Sequence, residues 1–249
     1  TTADMAIGSN SVAKGDKSTA IGNNSKVDGD YSIAIGNTSM VSDGSSSVAI
    51  GNHSTATGAG TTVIGAQASG VAGATVIGMN SKAAGIDSVA IGVLSNVKNG
   101  GGVAIGRNAV NDIDPGDGRS KPGVSIGDTS KAYGQSIAIG AVAHALGSYS
   151  IAIGASANAS GSYSIALGEG AEVKEKSEYS SVFGTSAKIA EKSKYSVVSG
   201  AYSNIGEDSQ YSTLVGANSS IGSSSRLSTL IGGYAKIGTN SAASILMGP

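Results

Sequence analysis

The sequence predicts an all-β fold, a parallel β-roll in which the chain winds as a solenoid through coils of 14 to 16 residues. Three observations carry this. A glycine, preceded by an apolar residue in every copy but Ser199-Gly200, recurs seventeen times from Gly8 to Gly248, 13 to 16 residues apart except for one gap of 21 between Gly106 and Gly127, and a fixed period of this kind marks a repeat architecture. Of 249 residues, 39 are glycine, one is Phe, none is Trp and 13% are charged, which leaves few bulky side chains for an isotropic core. Yet 39% are hydrophobic, too many for a disordered chain, so small and branched side chains are expected inside something thin and regular.

Each coil supplies two strands. The residue three before the glycine is mostly Val, Ile or Thr, as at Ile33, Val48 and Ile151, and the one just before it is mostly Ile, as at Ile35, Ile50 and Ile153; a small residue such as Ala34, Ala49 or Ala152 lies between. Alternation of large and small at period two reads as a strand with bulky side chains on one face and methyls on the other. Seven residues after many of these glycines comes another, as at Gly15, Gly29, Gly58, Gly85, Gly134, Gly147 and Gly161. It implies a second strand and a second turn, with glycine supplying positive φ. Residues 1–167 form 14-residue coils with a loop insertion at 111–123, and residues 168–249 continue the roll with 16-residue coils.

A coil of two short strands encloses one layer of side chains. The methyl-bearing face of the Ser-Val-Ala-Ile-Gly strand, left exposed, forms an apolar stripe of the kind that marks an interface. Obligate association follows, with three stripes meeting on a cyclic axis as an intertwined or side-by-side homotrimer.

Tyr149, Tyr163, Tyr179, Tyr195 and Tyr211 all stand five residues before their glycine, with Leu227 next in the column. One coil apart, they form a stacking ladder, and an exposed row of tyrosines is also good contact material for a ligand. Beside them run Glu178, Lys194, Gln210 and Arg226, and another column pairs Glu172 with Lys188; these opposite charges read as weak register markers. The 21-residue gap holds the Pro and charge cluster of the repeat array, which leaves the solenoid as a loop. Within it Asp114, Arg119 and Lys121 are candidate ligand contacts. Asp112, Asp114 and Asp117 resemble a calcium loop, but the glycine and distal glutamate of an EF-hand are misplaced, so no metal site is assigned.

No catalytic constellation is found. His53 and His144 fall at different positions relative to their glycines, and Gly168-Glu169-Gly170 follows a strand but opens no helix, so neither a general base nor a phosphate cradle is assigned. No enzyme and no cofactor are expected. A net charge of -1 without cysteine favours neither nucleic acid nor disulfides or thiolate metal sites. A hexapeptide-repeat acyltransferase is disfavoured by the 14- and 16-residue period, and an ice-binding solenoid by the scattering of Thr19, Thr62, Thr75, Thr213 and Thr229.

At Ser32-Ile33-Ala34-Ile35-Gly36, Ser47-Val48-Ala49-Ile50-Gly51-Asn52-His53-Ser54 and Ser150-Ile151-Ala152-Ile153-Gly154, the chain resembles the SVAIGxxS head repeat of YadA-like trimeric autotransporter adhesins. The likeness spans nearly the whole sequence; the 16-residue coils, with the altered motifs Ser181-Val182-Phe183-Gly184 and Val197-Val198-Ser199-Gly200, depart from it. The resemblance implies a left-handed roll, a homotrimer, and display from the outer membrane of a Gram-negative bacterium, with the membrane anchor outside this fragment. It also implies attachment to a host extracellular-matrix protein or cell-surface receptor; the alternative is a non-adhesive structural or phage fibre segment.

Overall fold

The structure, a computed structural model, describes residues 4–112 and 121–248. These fall into two compact units, residues 4–112 with 121–123, and residues 124–248. Most of the loop expected at 111–123, including Asp114 and Arg119, lies outside the described residues. All regular structure described is strand, a parallel β-solenoid.

In the first unit, eight strands from Met5–Ile7 to Val103–Ile105 form one parallel sheet, and eight from Val12–Ala13 to Val110–Asp112 form a second. Successive strands pair in register one repeat apart, Ala20 with Ala34 and Ala34 with Ala49, so like residues stack in columns. The Ile33 amide donates to the Ser47 carbonyl at 2.9 Å and the Gly36 amide to the Ile21 carbonyl at 2.8 Å. Every coil thereby satisfies its backbone on its neighbours.

The sheet face that turns inward is the opposite of the one expected. Ala34 is fully buried while Ile33 keeps 37% of its surface exposed, and Ala20, Ala49, Ala90 and Ala104 are buried in the same way. The two sheets of one flattened coil face each other directly, and the space between them takes methyls, Val and Ser rather than pairs of Ile. Large meets small across that space: a Cβ at Gly70 would lie 2.9 Å from Val76 Cγ2 and 3.2 Å from Val63 Cγ2, in an interior with no free volume to give. The apolar stripe therefore exists, but branched side chains form it, not methyls.

The turns correct a second expectation. Of the half-period glycines, Gly58 and Gly134 have positive φ, whereas at Gly15 and Gly29 the constraint is space: a Cβ on Gly15 would meet the Gly29 carbonyl oxygen. The left-handed conformation falls two residues later, on Lys17, Tyr31 and Asp87 with φ of 53 to 55°. The glycine of the apolar-Gly pair needs both freedoms. At Gly36, φ is +139° and a Cβ would stand 2.3 Å from the Gly51 carbonyl oxygen, closer than any non-bonded contact permits.

The second unit repeats this plan in nine strands from Val124–Ile126 to Ile245–Met247 and eight from Lys131–Tyr133 to Lys236–Ile237. After Gly168 the two added residues make one more turn per coil, with Lys176, Lys192, Asp208, Ser224 and Asn240 at φ of 56 to 61°. The extra turns are followed by serines, of which Ser177, Ser193, Ser209 and Ser225 are buried. The Ser209 amide donates to Ser193 Oγ at 3.0 Å, the Ser225 amide to Ser209 Oγ at 3.0 Å, and Ser209 Oγ donates to the Gly222 carbonyl at 2.8 Å. A second column does the same from Ser180 through Ser196 and Ser212 to Ser228. The wider coil also holds larger core residues, Leu214 with Ile221 and Leu230 with Ile237.

Candidate functional surfaces

Two surfaces of the roll present chemistry to solvent. The first is the outer face of the sheet built from the apolar-Gly strands. Strand alternation sends the middle residue inward, so the residues one and three before each glycine project outward in two parallel columns. In the first unit Ile64 and Ile77 each keep 39% exposure, and in the second Ile139, Ile153, Phe183, Val215 and Ile231 keep 36 to 42%. Register pairing stacks Ile139 on Ile153 and Ile153 on Leu167. A sustained column of this kind is far from the scattered single apolar residues of an ordinary surface.

The second surface is the tyrosine ladder of the second unit. Rings of Tyr149 and Tyr163 lie 4.9 Å apart and 6° from parallel; Tyr163–Tyr179, Tyr179–Tyr195 and Tyr195–Tyr211 continue at 4.9, 5.2 and 5.0 Å and 2 to 6°. The five residues keep 43 to 55% exposure. The structure thus brings together the five tyrosines singled out in the sequence. All five sit at φ of 56 to 58°, a conformation that costs a non-glycine residue about 1–2 kcal/mol. Stacking, at about 0.5–1.5 kcal/mol per pair, offsets much of that.

Charge pairs stand beside the ladder and, separately, on the strands of the second sheet. Lys194 Nζ lies 3.0 Å from Glu178 Oε2, and Lys188 Nζ 2.8 Å from Glu172 Oε2; Arg226, expected in the first column, instead meets Asp208 at 2.6 Å. Burial disfavours the Glu178 carboxylate, but the hydrogen bond and charge of Lys194 outweigh it and hold its pKa below the ordinary value; the same bond raises that of Lys194. Nearby, Asn158, Ser160, Glu172, Lys174, Glu175 and Glu191 line an open depression. Among the described residues no group of His, Asp or Glu is arranged to hold a metal ion.

Of the remaining sequence candidates, Lys121 is partly buried, and Asp114 and Arg119 lie outside the described residues. Sequence reasoning missed the outer isoleucine columns as a surface, although the period-two alternation that signals them was visible. It also passed over Tyr202 and Tyr234, exposed at 63% and 85%.

In-register parallel coils, an inner layer of mostly small residues and an outer apolar face define a repeat β-solenoid. The sequence profile of the YadA head domain repeat, which covers two copies at a time, matches residues 2–25, 13–39, 42–70, 72–95, 83–109, 134–157 and 145–171. The chain belongs to this family, an adhesin family of bacterial cell surfaces. Among solved structures it is similar to the collagen-binding domain of the Yersinia adhesin YadA, with 26% identity over 63% of this chain and 75% of that one and a TM-score of 0.34; the family assignment rests on the repeats, not on that superposition. No curated protein matches the sequence.

Proposed function

We propose that this chain is the head of a homotrimeric adhesin, displayed from the outer membrane of a Gram-negative bacterium by an anchor outside these residues, and that it attaches to a host extracellular-matrix protein or cell-surface receptor. The observation that carries this reading is the outer face of the apolar-Gly sheet. Columns such as Ile139–Ile153 leave branched side chains exposed or half-exposed at most coils, and burying such area is worth about 25 cal/mol per Å². Three copies meeting on an axis cover three such faces at once and close the assembly. The ligand then meets what stays outside: the turns, the charge pairs and the tyrosine ladder of each chain, with Lys121, Asp114 and Arg119 of the insertion as further contacts. Many weak contacts presented in triplicate gain by avidity rather than by one deep pocket.

The test is binding of the purified trimer to immobilised collagen, fibronectin and laminin, and to cultured epithelial cells. Saturable binding to one of them, weakened when Tyr163 and Tyr195 are replaced by Ser, supports the reading. A folded trimer that binds none of them is a structural fibre instead.

A further inference from the structure

Three observations bear on the chemistry open to the tyrosine ladder. Its rings are open to solvent at 43 to 55%. They lie parallel at 4.9 to 5.2 Å, so each inner ring has a like ring on both sides. They also belong to a chain without cysteine, which has no disulfide to staple one coil to the next. Of the nine tyrosines, the other four, Tyr31, Tyr133, Tyr202 and Tyr234, take part in none of these stacked pairs. Tyr31 and Tyr133 instead face the ammonium groups of Lys17 and Lys131 at 5.1 and 4.7 Å.

We infer that the ladder is a site of oxidative cross-linking, in which a one-electron oxidant of the haem-peroxidase and hydrogen-peroxide class joins neighbouring rungs as dityrosine. Each of two phenols gives up one electron and one proton. The two phenoxyl radicals form a carbon–carbon bond between positions ortho to oxygen, and the two displaced ring hydrogens return to the oxygens. The product carries two hydrogens fewer than two tyrosines, and one peroxide takes them up to become two waters. Dityrosine needs two radicals side by side. A stack supplies this because a radical formed on any rung exchanges with its neighbours until it meets a second, whereas an isolated tyrosine waits for a bimolecular encounter. The exposed ring edges admit the oxidant and leave the side chains free to turn from face-to-face to edge-to-edge for coupling, while the in-register backbone keeps the two residues one rung apart. The bond fastens coil to coil across the 14 or 16 residues of one repeat. It constrains the unfolded chain in the manner of a disulfide closing a short loop. This inference does not depend on which ligand the head binds.

The experiment treats the dilute chain with a haem peroxidase and hydrogen peroxide, reads the violet dityrosine fluorescence, and maps the links by mass spectrometry of proteolytic peptides. Expected are intrachain pairs 149–163, 163–179, 179–195 and 195–211, each lighter by two hydrogens, and a second unit that resists thermal unfolding better than before. Tyr179→Phe keeps a ring in the stack but removes the phenol. It is expected to abolish the pairs 163–179 and 179–195 and to leave 149–163 and 195–211 in place. Links spread equally over Tyr31, Tyr133, Tyr202 and Tyr234, links that join chains rather than rungs, or no dityrosine at all would each overturn the inference.

Discussion

Ala34 is fully buried while its neighbour Ile33 keeps 37% of its surface in water, and this inversion of size and burial recurs at the alanine-centred strands, giving way from Val182 onward to larger inner residues such as Leu214. The inner layer is fixed by its thinness. The outer layer is apolar beyond any need of the single chain, and the functional proposal rests on that surplus.

Where the inner layer is built of alanine on alanine it resists growth. Ala152, buried between coils and paired with Ala138 and Ala166, has no room for a larger side chain. Ala152→Leu is expected to lower stability by about 1–3 kcal/mol, measured by thermal unfolding followed by circular dichroism. Ile153→Thr, one residue on and facing out, should leave the strand signal of the roll in place.

The glycine of the apolar-Gly pair is the most constrained backbone position. Gly154 has φ of +132° and a Cβ there would stand 2.4 Å from the Gly168 carbonyl oxygen, whereas Gly60, at φ +69°, has nothing within 4 Å. Gly154→Ala should cost about 1–3 kcal/mol through strain and clash. Gly60→Asn should be near neutral, because Asn tolerates this conformation. Parallel denaturant titrations of the two variants decide it.

Ser209 is at once acceptor and donor within its buried column. Ser209→Ala leaves the Ser225 amide and the Gly222 carbonyl without these partners, and an unsatisfied buried group costs about 1–3 kcal/mol. Amide exchange at Ser225 should quicken selectively, with the 14-residue coils unchanged.

The Glu178–Lys194 pair is a minor contributor with a definite sign. Glu178 has a depressed folded pKa, so its stabilisation is present above the unfolded carboxylate value and is lost as pH falls through the lower folded value. Lys194 has a raised one, so its share is present below the unfolded lysine value and is lost as pH rises through the higher folded value. Both are in force at neutral pH. Glu178→Gln should lower the midpoint of thermal unfolding slightly at pH 7 and low salt, and the difference from the parent chain should vanish in strong acid and shrink with added salt.

The sequence made the period, the strand pairs, the in-register columns and the tyrosine ladder legible, because a solenoid repeats each local decision at a fixed spacing. It did not reveal which face of Ile33-Ala34-Ile35 turns inward. Alternation defines two faces but not the gap each must fill, and in a globule the isoleucines would have gone inside. The left-handed turn residues were also hidden: Tyr149, Lys176 and Leu227 carry no signature of positive φ, since the coil geometry imposes it against their preference. Of the insertion, Asp114 and Arg119 remain expectations from sequence alone.

The most direct measurement is the mass of the chain in solution by light scattering coupled to size exclusion, alongside a variant with Ile139 and Ile153 both replaced by Asp. A parent particle of three times 24.0 kDa, and a variant that is monomeric but keeps its β-sheet spectrum, is the outcome expected if the outer columns meet on a threefold axis. A parent chain that is folded and monomeric at 24.0 kDa would contradict it, since the isoleucine columns would then have no partner to cover them.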